Sequence, residues 1–89
     1  MTAVRIACLA CSFPSLRGKP GIRPWAPDLL AHWAAGAAPS LGALHAARFL
    51  LAWWGHPQAK PFDVHAAMRT WDDDHRRALQ AWVASPWWC

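Results

Sequence analysis

From Leu41 to Trp54 the chain reads LGALHAARFLLAWW, apolar on almost every side and interrupted only by His45 and Arg48, three apart. A helix of that kind belongs at the centre of a small bundle rather than on its surface. Ser40 precedes it as an N-cap, and Gly55 followed by Pro57 closes it. Upstream, Pro27 suits a first helical position and Asp28 complements the helix dipole. That pattern predicts a short helix to about Ala35, with Leu29, Leu30 and Trp33 facing inward and Gly36 ending it.

Downstream, Asp63 reads as the N-cap of a helix whose buried stripe is Val64, Ala67, Met68 and Trp71. Asp72 then caps another. Its apolar line, Trp71, His75, Ala78, Leu79 and Trp82, follows the i, i+4, i+7, i+8, i+11 spacing of one helical face. Asp72–Arg76 and Asp73–Arg77 are spaced as i,i+4 ion pairs, and Pro86 ends the element. The first third of the chain reads differently. Between Ala3 and Cys11, Val4, Ile6, Cys8 and Ala10 alternate loosely, as in a short strand that would need a partner. Pro14, Gly18, Pro20, Gly21, Pro24 and Pro27 leave no room for a regular element after it.

The expected architecture is therefore mainly α: a small bundle of three to four helices with a Pro-rich N-terminal arm and one short N-terminal strand at most. Residues 1–27 form the arm, with the strand at 3–11; 28–86 form the helical domain; 87–89 form a tail. At 89 residues this is one domain, and its burial is small enough that each large apolar side chain counts. The chain is 55% hydrophobic and 16% charged, which excludes an intrinsically disordered chain, and its length excludes a multidomain enzyme. Nineteen alanines, with no Glu, Asn or Tyr, fit codon pressure in a GC-rich genome. Eight tryptophans do not, and a domain this small has little interior in which to hide them. Indoles that remain outside have the profile of interface anchors.

Charge sharpens that expectation. The whole excess of +4 lies before Asp28, in Arg5, Arg17, Lys19 and Arg23, because five cations and five aspartates cancel in the remainder. Cations beside Pro and Trp25 can stack a base or fill an acidic partner's pocket. Arg17, Lys19, Arg23, Trp25, Trp87 and Trp88 are thus the expected partner-binding residues. The partner expected is a host protein or ribonucleoprotein complex. Nucleic acid bound directly by the basic arm is the alternative, and self-association into a homodimer is a further candidate.

Candidate chemistry is sparse. Cys8 and Cys11 have the Cys-x-x-Cys spacing of half a zinc site or a redox dithiol, which makes a zinc or redox module a third reading. They remain weak candidates, because Cys89 is the one other thiol and no histidines pair at zinc spacing. Ser12, Ser15, Ser40 and Ser85 fall at loops or caps, and Gly18-Lys19-Pro20-Gly21 lacks the spacing of a phosphate loop. No catalytic residue, enzyme activity, metal or cofactor is expected. The apolar run Ile6–Ala10 is too short for a secretory signal. The 19 uncharged residues between Asp28 and Arg48 contain Gly36, Pro39 and Gly42, fitting two helices better than a membrane span. No membrane association and a cytoplasmic location in the host bacterium are expected.

Arg48-Phe49-Leu50-Leu51-Ala52-Trp53-Trp54, then Phe62-Asp63, then the acidic helix start Asp72-Asp73-Asp74 resemble a family of small bacterial domains of unknown function. The resemblance spans residues 46–84 and departs at the spacer His56–Pro61, where the family has a polar, Gly-rich turn. It implies a helical core and the kind of accessory protein found in phage and mobile DNA. On this basis the expected function is non-catalytic binding, in its narrowest form an anti-CRISPR-like inhibitor of a host nucleic-acid machine.

Overall fold

The computed structural model describes residues 3–36 and 40–84. Its centre is α3, Leu41–Trp54. Ser40 Oγ accepts a hydrogen bond from Ala43 N at 3.1 Å, and Gly55 closes the other end at φ +85°. Ala43, Ala46, Ala47, Leu50 and Leu51 are buried along it, together with His45 and Phe49. The helix contacts α1 (Ala3–Cys11), α2 (Pro27–Gly36), α4 (Val64–Thr70) and a 3-10 turn at Pro14–Leu16. The last helix is α5, Asp73–Ala84.

Among the described residues there are five α-helices and no strand. The mainly helical class is as expected, but the number of helices is higher and the strand at 3–11 is a helix instead. The reason is visible in the side chains. Ile6, Leu9, Ala10 and Phe13 follow the i, i+3, i+4, i+7 spacing, and all are buried. The competing alternation rested on small residues with no second strand to complete their hydrogen bonds.

The N-terminal third is not a free arm. Phe13 and Leu16 are fully buried and Ile22 is nearly so, and all belong to the same core cluster as α3. Full burial of such a side chain stabilises the fold by roughly 1.5–3 kcal/mol. Gly21 makes this loop possible. Its φ is +83°, and its carbonyl accepts from Ala26 N at 2.8 Å, locking the loop onto the start of α2. The peptide bond between Arg23 and Pro24 is cis.

The second half follows the sequence closely. Asp63 Oδ1 caps α4 through Ala66 N, and Asp72 Oδ1 accepts from His75 N at the start of α5. Trp71, His75, Ala78 and Leu79 are buried, with Trp82 half-buried beside them. Trp71 Nε1 donates to Gly42 O at 2.9 Å, which ties the α4–α5 corner to the first turn of α3. The ion pairs of α5 adopt i,i+3 spacing, Arg76–Asp73 and Arg77–Asp74, rather than the expected i,i+4. Arg76 Nε is drawn away to Met68 O, which fixes its reach. Leu29 and Val64 are exposed instead of facing inward; both lie in the first turn of a short helix, where Leu30 and Ala67 take the inner positions.

Candidate functional site

The expected basic–aromatic site is partly assembled. Arg23, Pro24 and Trp25 face Val4, Arg5 and Cys8 of α1 across a cleft of about 450 Å³. Trp25 is half-buried and meets Trp54 edge-to-face, with ring centroids 5.6 Å apart. Trp54 is 37% exposed and its neighbour Trp53 38%, and Trp53 is braced edge-to-face by Trp82 at 4.8 Å. Trp25 therefore joins an arginine-lined cleft to a pair of exposed indoles at the end of α3. Sequence reasoning missed Trp53 and Trp54, which it placed inside a helix read as buried throughout. The signal was available: the last turn of a helix that ends in Gly55 projects beyond the bundle it crosses.

The other expected residues are dispersed. Arg17 turns its guanidinium onto its own segment, with Nε donating to Cys11 O at 2.7 Å. Lys19 lies half-buried in the loop. Trp87 and Trp88, in the 87–89 tail, lie outside the described residues. Cys8 is disulfide-bonded and Cys11 is a half-buried free thiol, so the two do not pair with each other. Among the described residues no group of three or more His, Cys, Asp or Glu side chains is arranged to hold a metal ion. None of their helices is long and apolar enough to cross a membrane.

A second cleft opens between α2 and α3. Ala31, Ala34 and Ala35 form one wall, Leu44, Arg48 and Leu51 the other, and Gln58 and Lys60 the rim. Its volume is about 690 Å³. Arg48 is half-buried, and its Nε is sealed from water without a hydrogen-bond partner. One turn earlier, His45 is buried, and its imidazole is held below its ordinary pKa by burial first and by the Arg48 charge second, against an opposing pull from Asp63.

Two buried histidines bridge distant segments. His56 Nε2 lies 2.7 Å from Asp28 Oδ1, while its Nδ1 accepts from Gln58 N, so the ring proton sits on Nε2. His75 takes the opposite tautomer. Its Nδ1 donates to Asp72 Oδ1 at 2.7 Å, leaving Nε2 to accept from Ser15 Oγ, also at 2.7 Å. Ser15, His75 and Asp72 thus stand in the order of a hydrolase nucleophile, base and orienting acid. Sequence reading missed this chain because sixty positions separate Ser15 from His75. Its surroundings fit a brace better than a nucleophile. The imidazole is packed between Phe13 and Trp71, each with its centroid 6.0 Å away, and the same Asp72 oxygen caps α5. Neither cleft reaches Ser15. A nucleophilic serine also needs access for a carbonyl and donors for the oxyanion.

Asp72 is held below the usual carboxylate range, chiefly by the His75 backbone N–H and next by the His75 side chain. Asp63 is lowered in the same way by the Ala66 N–H of α4.

No family model matches the chain, and neither does any curated protein or solved structure.

Proposed function

We propose that this is a non-catalytic binding protein that docks a macromolecular partner on the surface running from the Arg5–Arg23 cleft through Trp25 to Trp54 and Trp53. The observation that carries the reading is the edge-to-face contact of Trp25 with Trp54, which makes the cationic cleft and the exposed indoles one continuous surface. Arginine and tryptophan are the residues that most often dominate binding energy at protein interfaces. The aromatic bracing holds the indoles in place before binding, so little side-chain freedom is lost on contact. A partner matching this surface presents acidic groups beside an apolar ridge.

The narrowest form of the proposal is an anti-CRISPR-like inhibitor of a host nucleic-acid machine. Its supports are the indole content and the arginines set beside the exposed indoles. The test is size-exclusion chromatography with purified host nucleic-acid-guided effector complexes, using the wild-type protein and an R23E/W54A variant. Co-elution of the wild type and its loss in the variant are expected. Absence of any complex with every effector tried, at micromolar concentrations, contradicts the inhibitor reading.

Direct nucleic-acid binding is favoured by one feature, a cleft whose lining combines Arg5, Arg23 and Trp25. It requires a gel shift that weakens steeply with salt and is lost on neutralising Arg23. A shift insensitive to both rules it out.

A further inference from the structure

We infer that the cleft between α2 and α3 binds a small amphipathic carboxylate, its head held by Arg48 and Lys60 and its apolar body lying along Ala31, Ala34, Leu44 and Leu51. This site is separate from the proposed docking surface and shares none of its residues.

The cleft arises from the sequence. Ala31, Ala34 and Ala35 recur at i, i+3, i+4 on α2, and Leu44, Arg48 and Leu51 at i, i+4, i+7 on α3. A methyl wall opposite leucines leaves the inter-helix space unfilled where larger side chains would interdigitate. The resulting volume, about 690 Å³, lies within the range of roughly 300–1,000 Å³ typical of small-molecule sites. Such sites are mostly apolar with a few placed polar groups, which describes this lining.

Charge selects the ligand. Arg48 stands half-buried in the cleft lining, its Nε sealed from solvent with no acceptor, and a cation that is only partly hydrated favours an anion beside it. The chain cannot supply one from its own aspartates, because all five are engaged elsewhere. Asp28 pairs with His56 and Asp72 with His75; Asp63 caps α4; Asp73 and Asp74 pair with Arg76 and Arg77. The sequence contains no Glu. A planar carboxylate can meet the terminal Nη1 and Nη2 of the guanidinium with paired hydrogen bonds, and Lys60 and Gln58 at the rim add a second charge and an amide donor. An apolar tail then covers the alanine wall.

The probe is sodium decanoate, titrated calorimetrically into the full-length protein, with decanol, acetate and inorganic phosphate as comparisons. Saturable one-to-one binding of decanoate is expected, with decanol, acetate and phosphate each at least about tenfold weaker, since a charge-assisted pair and an apolar tail each contribute on that scale. Arg48→Met keeps the length and packing of the side chain but removes the charge, and is expected to lose about tenfold or more in affinity. Ala34→Leu fills the cleft and is expected to abolish binding while raising the melting temperature. Lys60→Ala, at an exposed position, reports on the charge without risk to the fold. No saturable decanoate binding by the wild type overturns the inference. So does decanoate affinity unchanged in both Arg48→Met and Lys60→Ala, or phosphate bound as tightly as decanoate.

Discussion

Gly21→Ala tests how the loop that carries Arg23 and Trp25 is held. A Cβ at position 21 would stand 2.5 Å from Ala26 O and 2.6 Å from Leu30 N, both backbone atoms that cannot rotate away. The φ of +83° adds a conformational cost of about 1–2 kcal/mol for any residue with a Cβ. Relief requires moving the start of α2. That movement weakens the 2.8 Å hydrogen bond from Ala26 N to Gly21 O, worth about 0.5–1.5 kcal/mol, and loosens the fully buried Leu30. These two terms sum to about 1.5–3.5 kcal/mol, and the loosened packing of Leu30 adds about 1 kcal/mol or more. A domain of 89 residues has a total stability of roughly 4–13 kcal/mol, so the variant is expected to be marginal or unfolded. Gly18→Ala is the matched control: φ is +73°, but nothing lies within 4 Å of the added Cβ, so only the conformational cost of about 1–2 kcal/mol is at stake. Urea unfolding followed by indole fluorescence and by circular dichroism measures both variants. Equal losses in the two would refute the steric argument and with it the placement of the loop against α2.

The Ser15–His75–Asp72 chain is expected to behave as a brace. Ser15→Ala removes the hydroxyl donor and leaves His75 Nε2 only the longer bond from the Ser15 backbone N–H at 3.4 Å, and should cost about 0.5–1.5 kcal/mol, His75→Ala about 2–4 kcal/mol, by urea unfolding. A fluorophosphonate probe should leave Ser15 unlabelled, and stoichiometric labelling lost in His75→Ala would establish a nucleophile instead. Because the Asp72 carboxyl is lowered from its ordinary 3.8, its stabilisation is present above that value and is lost as pH falls through the folded pKa; Asp72→Asn, which still caps α5, should flatten the acid limb of the stability curve. For His45 the lowered group is a base, so the unfolded chain binds the extra proton and stability falls as pH drops below 6.5. Replacing it with Gln should reduce the stability difference between pH 7.5 and pH 5.5, and an unchanged difference would count against burial as the cause.

Capping and helical period made much of the fold legible. Ser40, Gly55, Asp63 and Asp72 stand at their helix ends as their chemistry requires, and the Trp71–Trp82 stripe faces the core. The first helix was obscured because Ala and Cys satisfy either period, and only Phe13, beyond its end, resolves the ambiguity by continuing the line of Ile6, Leu9 and Ala10. The loop's role in the core was masked by its Pro and Gly content, which forbids regular structure but not burial of Leu16 and Ile22. At the candidate site, Arg23 and Trp25 were legible as a cation beside an aromatic plane. Their meeting with α1 and with Trp54 depends on a turn at Gly21 whose partners, Ala26 and Leu30, no local pattern identifies.

Hydrogen exchange on the complex with any effector that co-elutes tests the docking surface most directly. Slowed exchange confined to residues 4–8, 22–26 and 53–54, absent in the R23E/W54A variant, is the expected footprint. Protection centred on α4 and α5, with residues 22–26 and 53–54 exchanging as in the free protein, would contradict it.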